Sequence, residues 1–268
     1  MGEFFRDFRA PDDPGQIYAR RLLACCGDRA SVALVHATAH SDDRQVMEYL
    51  GRECVKLGLR TVMASPVHIR WADGAAQVEC DFFRGRPDAL VRFFPGEWLP
   101  NLRRGSRWRP WFHSSQTLMS NPGTALLVQS KRFPLVWDRL CAKLPTWRRL
   151  LPQTCCPRSV SSREFSNYVL KPCFGRVGED IILPGNTSKK LATQARRSAR
   201  WFPASWVAQQ PFQAIPISNG RGPRYPCFGV FCIDGKASGV YGRVADQPLI
   251  DQNAQDVAVL IESEGMQQ

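Results

Sequence analysis

Long apolar runs are missing from this sequence. No stretch approaches the roughly 20 apolar residues that a membrane-spanning helix needs. Residues 1–7 carry acids at Glu3 and Asp7. They also contain no apolar run of about 7 to 15 residues, which a signal peptide requires. We therefore expect neither a membrane span nor an export signal, and a cytoplasmic location.

Residue patterns typical of metal and hydrolase sites are also lacking. The histidines His36, His40, His68 and His113 do not form a cluster with metal-ligand spacing. The cysteine pairs at residues 25–26 and 155–156 lack the two-residue gap of zinc knuckles. No Gly-x-Ser-x-Gly elbow is present. These absences argue against a zinc site and a serine hydrolase, and we expect the cysteines to be free thiols.

The composition is that of a folded domain with excess positive charge. The 268 residues are 44% hydrophobic and 22% charged, which is enough to bury a full core. Lys and Arg outnumber Asp and Glu by 36 to 24, a formal charge of +12. This balance favours anionic ligands such as nucleotides, phosphorylated substrates or nucleic acid, and does not choose among them.

The first half of the chain predicts a β-α-β unit. Two β-prone runs flank a helical run, whose start carries Ser41 and two acids suited to a helix N-terminus and whose end is Gly58. Such a connection joins parallel strands, so residues 30–95 predict a small α/β layer with a parallel sheet. The predicted elements are strands at residues 32–35, 59–63 and 89–94, a helix over residues 41–57, and a hairpin turning at Asp73 and Gly74.

The second half combines strands, basic helices and a glycine-rich turn. Its helices follow from apolar residues at 3.6-residue spacing, and its strands from short β-prone runs. The predicted elements are helices over residues 131–144 and 188–200, strands at 168–171, 180–183 and 206–209, and a hairpin over 227–243 that turns at Asp234 and Gly235.

The turn after Lys171 has the chemistry of a phosphate-binding loop. Gly175 and Gly178 allow backbone conformations that other residues disfavour, and Arg176 lies between them. Backbone N–H groups of a tight glycine turn can cradle phosphate oxygens, while Lys and Arg supply positive charge. An ordinary hairpin with a surface Lys and Arg is the alternative interpretation of this segment.

Several blocks, taken in order and spacing, resemble the glutathionylspermidine synthase family of ATP-grasp ligases over roughly residues 30–260. The resemblance implies an α/β (α+β) fold, in which an ATP-grasp-type domain is preceded by a small parallel βαβ pre-ATP-grasp layer. It implies an N-terminal extension at residues 1–29, a pre-ATP-grasp-like domain at 30–112 and a nucleotide-binding domain at 113–268. The blocks are residues 32–35, 91–99, 121–122, 130–131, 150–152, 171–178 and 239–243.

The resemblance also implies an activity and a set of site residues. Family members activate the glycine carboxylate of glutathione with ATP as an acyl phosphate and join it to a polyamine. The implied partners here are ATP, a glutathione-like thiol peptide and a polyamine. Arg176 and Arg243 resemble arginines that stabilise charge during transfer. The residues that resemble nucleotide contacts are Lys131, Lys171, Gly175, Arg176, Gly178 and Gln209.

The magnesium ligands of the family have no counterpart in the sequence. Family members carry an arginine-and-aspartate segment and a Glu-Tyr-Asn-type segment ahead of the matched region, and residues 2–29 contain neither. We therefore expect these Mg²⁺ ligands to be missing from this chain. Asp246, Asp251 and Asn253 are candidate substitutes, but their spacing matches no known metal loop. An exposed acidic turn is the preferred interpretation.

Smaller departures leave two alternatives to a complete ligase. Val177 and Val244 stand where the family has glutamate, and Ser130 stands in place of asparagine. The chain is then a catalytically degenerate relative, or a half-enzyme completed by a separate N-terminal partner chain. The other alternative is a nucleic-acid-binding module built on the helix at residues 188–200 and a basic aromatic strip. The strip comprises Arg103, Arg104, Arg107, Trp108 and Arg109.

Overall fold

The computed structural model describes residues 7–113, 115–218, 220 and 222–263. The chain forms two compact units, each assembled from separate stretches. Unit 1 comprises Met1–Leu126, Val230–Val240 and Leu260–Gln268. Unit 2 comprises Leu127–Gly229 and Tyr241–Val259. The chain therefore passes from unit 1 to unit 2 more than once, and the domain boundaries expected from sequence stay a prediction.

The strands and helices are numbered in chain order. The strands are Phe8–Arg9 (β1), Ser31–Val35 (β2), Arg60–Ala64 (β3), Ile69–Ala72 (β4), Ala75–Cys80 (β5), Phe83–Gly85 (β6), Ala89–Arg92 (β7), Leu118–Ser120 (β8), Thr154–Cys155 (β9), Val169–Pro172 (β10), Trp206–Gln209 (β11), Ile217–Ser218 (β12), Pro223–Ile233 (β13), Lys236–Ala245 (β14), Gln255–Val257 (β15) and Ile261–Glu262 (β16). The α-helices are Pro14–Cys26 (α1), Ser41–Lys56 (α2), Leu126–Gln129 (α3), Pro145–Leu150 (α4) and Lys189–Trp201 (α5). Short 3-10 helices span Pro66–His68, Gly96–Asn101, Arg104–Ser106, Arg109–Phe112, Gly123–Ala125, Phe133–Arg139, Pro157–Ser159, Phe165–Asn167 and Pro203–Ser205.

Unit 1 is built on a parallel sheet with the strand order β3-β2-β7-β8. The strand β2 pairs in parallel with both β3 and β7, so the predicted β-α-β unit is confirmed. All five residues of β2 are buried, as expected for a central parallel strand that is covered on both faces. The strand β8 extends the sheet beyond β7 and was not predicted from the sequence.

Alternate residues of β2 enter two separate cores of unit 1. Val32 and Leu34 pack with α1 and α2, whose buried residues recur at helical spacing. Ala33 and Val35 face the other side, where they join a core that contains Trp71 of the β4-β5-β6 hairpin sheet. The turn of this hairpin lies at Asp73 and Gly74, with φ angles of 52° and 74°, as the sequence predicted.

The helix α1 corrects the sequence interpretation of residues 1–29, which assigned no element there. Asp13 caps the helix, since its Oδ1 accepts hydrogen bonds from the backbone N–H groups of Gly15 and Gln16. Its Oδ2 accepts a hydrogen bond from the Tyr49 hydroxyl of α2. One carboxylate therefore starts α1 and joins it to the neighbouring helix.

Unit 2 contains a small antiparallel sheet with the strand order β10-β11-β9. The helix α5 covers it with three alanines, Ala192, Ala195 and Ala199, spaced three and four residues apart. Ser188 caps this helix by accepting a hydrogen bond from the Leu191 N–H. The basic helix and the strand β11 are confirmed within one residue of their predicted bounds.

Two predicted elements of unit 2 are wrong. The helix predicted over residues 131–144 is a 3-10 helix at Phe133–Arg139, since Leu140 is extended and Leu144 is left-handed. The strand predicted at residues 180–183 is only a bridge between Leu170 and Ile182. Gly178 and Asp180 have positive φ angles just before it, so the backbone turns rather than extends.

The hairpin formed by β13 and β14 is longer than predicted. It turns at Asp234 and Gly235, which have φ angles of 51° and 73° and confirm the predicted turn. Its tip, Val230–Val240, groups with unit 1, and the rest of both strands groups with unit 2. No helix in the part of the chain that the structure describes is long and apolar enough to cross a membrane.

Replacing Asp13 with alanine should destabilise unit 1. Asp13→Ala removes the cap of α1 and the Tyr49 contact, so the free energy of unfolding should fall by about 1 to 2 kcal/mol in chemical denaturation. The hydrogen bond to Asp13 raises the pKa of Tyr49 to about 12 from 10.0, so this pKa should fall in the variant when tyrosine ionisation is followed by absorbance. Asp12→Ala removes a neighbouring exposed carboxylate and should change neither quantity. Equal effects of the two variants would contradict the capping role.

Candidate functional site

The strands β10 and β11 position Lys171, the first of the predicted nucleotide contacts. Its Nζ donates a hydrogen bond of 2.6 Å to Oε1 of Gln209. The Nε2 of Gln209 donates at 2.8 Å to the hydroxyl of Thr154, which lies opposite Gln209 on β9. The lysine is therefore held by a relay that crosses all three strands of the sheet.

Lys171 lies in an environment that disfavours its charge. Burial lowers the pKa of Lys171 from its ordinary 10.5, and the nearby ammonium group of Lys131 lowers it further. Within the described residues, no carboxylate forms an ion pair with Lys171. An anionic ligand beside the two lysines would favour the charged form of Lys171 and so oppose the effects of burial and of Lys131.

Lys131 is joined to the glycine loop at residues 173–179 by two hydrogen bonds. Its backbone N–H donates to the Cys173 carbonyl at 3.0 Å, and its Nζ donates to the Gly175 carbonyl at 2.9 Å. The structure thus brings together Lys131, Lys171, Gly175 and Gln209, which are far apart in the sequence. Their proximity was predicted from the resemblance alone.

The tip of the glycine loop is a tight turn. Val177 and Gly178 have φ angles of 47° and 75°, and the Arg176 carbonyl accepts the Glu179 N–H at 2.8 Å. The backbone at Gly178 has no room for a side chain, because a Cβ there would lie 2.7 Å from the Ile250 carbonyl oxygen. Glycine is therefore required at 178 by both its dihedral angle and its packing.

The amides of the loop remain available for a ligand. Among the described residues, the N–H groups of Phe174, Gly175, Val177 and Gly178 form no hydrogen bond. Backbone amides of this kind, beside two lysines, form a suitable cradle for phosphate oxygens. The loop also closes the antiparallel bridge between Leu170 and Ile182, so the segment has the connectivity of a hairpin as well.

A cavity of about 310 Å³ adjoins the lysine pair. Lys131, Lys171 and Gln209 line it on the polar side. Its remaining wall is largely apolar, and it includes Val128, Phe133, Trp137, Leu144, Trp147, Leu151 and Val207. A mostly apolar cavity with a few convergent polar groups is typical of small-molecule sites. This cavity and the loop together suit a ligand with an aromatic base and phosphates.

The cavity wall also carries an unsatisfied hydrogen-bond donor. The indole N–H of Trp137 is buried and has no acceptor in the described part of the chain. The helical pattern of residues 131–144 gives no sign that Trp137 lines a cavity, and no sequence motif marks Trp147 or Thr154. Trp147 follows Pro145, which marks the start of a helix, but no sequence signal places its ring at the cavity.

The two arginines predicted to act in transfer lie in different environments. Arg176 is exposed at the tip of the loop. Arg243 lies on β14, where its Nε donates at 3.0 Å to Asp256 and its Nη2 donates at 2.9 Å to the Ala254 carbonyl. The side chain of Arg243 is only 20% exposed. The Asp256 contact was not foreseen, and it partly compensates the charge expected to act on a ligand.

The candidate magnesium ligands named from the sequence have other partners in the structure. No group of three His, Cys, Asp or Glu residues among them is placed to hold a metal ion. Asp246 forms an ion pair with Arg224 at 3.1 Å. Asp251 accepts hydrogen bonds from the backbone and side-chain amides of Asn253, which is an ordinary turn contact. The candidate substitute ligands therefore serve the local structure.

The fold and the site define a mixed α/β protein with a lysine-lined cavity beside a glycine loop. A family model described as glutathionylspermidine synthase pre-ATP-grasp matches residues 16–262. The chain belongs to this family, and hence to an ATP-dependent ligase family. This finding confirms the resemblance and the predicted fold class, with a parallel pre-ATP-grasp layer and an ATP-grasp-type part.

Comparisons with individual proteins add little to the family assignment. The solved structure titled D-cycloserine synthetase DcsG is similar to this chain, with 17% identity and a TM-score of 0.47. The match covers 85% of this chain and 71% of that one. No curated protein matches the chain.

The packing of the glycine loop leads to a matched pair of variants. Gly178 and Gly185 both have positive φ angles, 75° and 82°, but a Cβ at Gly185 meets no atom within 4 Å. Gly185→Ala should lower the free energy of unfolding by about 1 kcal/mol through its dihedral angle alone. Gly178→Ala should cost about 1 to 3 kcal/mol more, because Ile250 must move. Equal losses, measured by chemical denaturation, would mean that Gly178 is not closely packed.

Proposed function

We propose that this chain is a glutathionylspermidine synthase-like ATP-dependent carboxylate-amine ligase that binds its nucleotide in unit 2. Membership of the family supports the reaction class. One observation supports the location most strongly: Lys131, which is bonded to the glycine loop, and Lys171, which is bonded to Gln209, line one apolar cavity. No other described feature of unit 2 joins positive charge, unpaired amides and an aromatic wall.

The residues suggest how the nucleotide is held. The apolar cavity takes the adenine, with Trp137 and Trp147 offering flat surfaces against which a base packs. Lys131, Lys171 and the loop amides then take the phosphates, as cations close to a phosphate chain offset its charge strongly in a partly buried site. Gln209 holds Lys171 in place from the opposite side.

The proposed reaction has two steps. A carboxylate oxygen of the acid substrate attacks the γ-phosphorus of ATP, ADP leaves, and an acyl phosphate forms. The amine then attacks the acyl carbon, inorganic phosphate leaves, and a C–N bond forms with loss of a proton from the amine. Arg176 and Arg243 are proposed to stabilise the negative charge that develops. A glutathione-like thiol peptide and a polyamine are the proposed acid and amine.

A second candidate is a nucleotide-binding relative that does not catalyse the reaction unaided. Two observations favour it. Among the described residues, no three His, Cys, Asp or Glu side chains are placed to hold a metal ion, and phosphoryl transfer generally depends on Mg²⁺. Arg243 is already paired with Asp256. Such a chain either lacks activity or receives its missing carboxylates from a separate partner chain.

A measurement of ATP binding tests the nucleotide site in unit 2, which both candidate functions share. Titration with ATP, followed by calorimetry, should show binding to the native chain. Lys171→Ala should weaken it about tenfold or more, equivalent to about 1.4 kcal/mol, because one phosphate contact is lost. Lys190→Ala removes an exposed lysine of α5 and should leave affinity unchanged. Absence of ATP binding, or equal losses in the two variants, would contradict the proposed site.

Turnover separates the two candidates. ADP release is measured with ATP, Mg²⁺, glutathione and spermidine, and with each substrate omitted in turn. A complete ligase should release ADP only when both the thiol peptide and the polyamine are present. ATP binding without ADP release under these conditions would assign the chain to the second candidate. ADP release that depends on neither the thiol peptide nor the polyamine would contradict the ligase proposal.

A further inference from the structure

Unit 1 contains a polar cavity that the proposed function does not use. Its volume is about 350 Å³, and it lies beside His36, which follows β2, and Met63 on β3. The carboxyl ends of parallel strands are where α/β proteins commonly bind ligands. The side chains that matter most for its chemistry are His36, Arg44, His68, Asp81 and the highly exposed Phe82.

His36 presents a hydrogen-bond acceptor to this cavity. The side chain is only 2% exposed, and its Nδ1 lies 3.2 Å from the Leu34 carbonyl, which can only accept. Nδ1 therefore carries the proton, and Nε2 of the neutral ring is left with a lone pair. No donor reaches Nε2 among the residues that the structure describes. The ring is largely buried but lines the cavity, so a ligand N–H there can donate to this lone pair.

His68 presents a hydrogen-bond donor to the same cavity. Its Nδ1 accepts the Ser65 N–H at 3.2 Å, so in the neutral ring the proton is on Nε2. One histidine thus offers an acceptor and the other a donor within the same cavity. The two backbone contacts fix these complementary roles.

Charges of both signs also line the cavity. Arg44 donates its Nε to Glu48 at 2.7 Å, and its two terminal nitrogens contact no acceptor in the described ranges. Asp81 is exposed, and within the same ranges its carboxylate has neither a hydrogen-bond donor nor an ion-pair partner. A ligand carrying both an anionic and a cationic group would complement these two side chains.

The composition of the cavity does not indicate a metal site. His36, His68, Glu79, Cys80 and Asp81 all line it, yet no three such residues in the described part of the chain are placed to hold a metal ion. The donors, acceptors and charges are instead spread over the wall, as a small organic ligand requires.

We infer that this cavity binds a small zwitterion of the amino-acid type. Arg44 contacts its carboxylate, Asp81 contacts its ammonium group, and His36 accepts a hydrogen bond from a ligand N–H. The inference goes beyond the proposed function, since it involves neither ATP nor the residues of unit 2.

Binding of free and blocked amino acids tests this inference. Saturation-transfer NMR without nucleotide would use L-glutamine, L-glutamate and L-lysine, each compared with its N-acetyl and methyl ester derivatives. At least one free amino acid should bind, and blocking either terminus should weaken binding about tenfold or more, because one charged contact is lost. Failure of all three to bind, or equal binding of the blocked forms, would overturn the inference.

Matched variants locate the site. Asp81→Asn and Arg44→Gln change exposed side chains, so both proteins should fold, and each should weaken binding of the free amino acid about tenfold. Asp73→Asn changes another exposed carboxylate of unit 1 and should have no effect. Lys171→Ala should also leave this binding intact, which separates it from the nucleotide proposal. Equal losses in Asp73→Asn and Asp81→Asn, or loss in Lys171→Ala, would contradict it.

Discussion

Two lysine ammonium groups that line one apolar cavity are the constraint on which the candidate site depends. Lys131 reaches the Gly175 carbonyl, and Lys171 is held by Gln209 in a partly buried position. Burial disfavours the charged form of Lys171, and repulsion from Lys131 adds to this cost, so the pKa of Lys171 falls. The hydrogen bond to Gln209 offsets part of this cost for Lys171. A polyanion beside its ammonium group would offset more of it.

The rest of unit 2 keeps the two lysines in this arrangement. The three-strand sheet fixes Lys171 through Gln209 and Thr154, and α5 packs three alanines on the sheet. The loop keeps its shape because Gly178 packs closely against the backbone at Ile250. The apolar cavity then adds a surface for an aromatic base next to the charged groups. No three His, Cys, Asp or Glu side chains among the described residues are placed together to hold a metal ion.

Local signals in the sequence account for much of the fold. The buried run of β2, the Asp73-Gly74 and Asp234-Gly235 turns, and the Ser188 cap each specify their element through nearby residues. The helix α1 was missed even though Asp13 and Pro14 are helix-start signals. The helix predicted over residues 131–144 failed because apolar spacing cannot reveal the extended backbone at Leu140. Residues such as Trp137 and Thr154 reach the site through tertiary packing, which no local pattern reports.

The most direct test of the lysine pair is the pKa of Lys171 itself, with and without ATP. NMR of the ¹⁵N-labelled side chain should give a pKa below 10.5 in the free protein, where burial and Lys131 disfavour the charge. Phosphates beside the ammonium group favour its charged form, so ATP should raise this pKa. Lys190, which is exposed on α5, should not shift. A Lys171 pKa that does not change at saturating ATP would contradict the proposed nucleotide site.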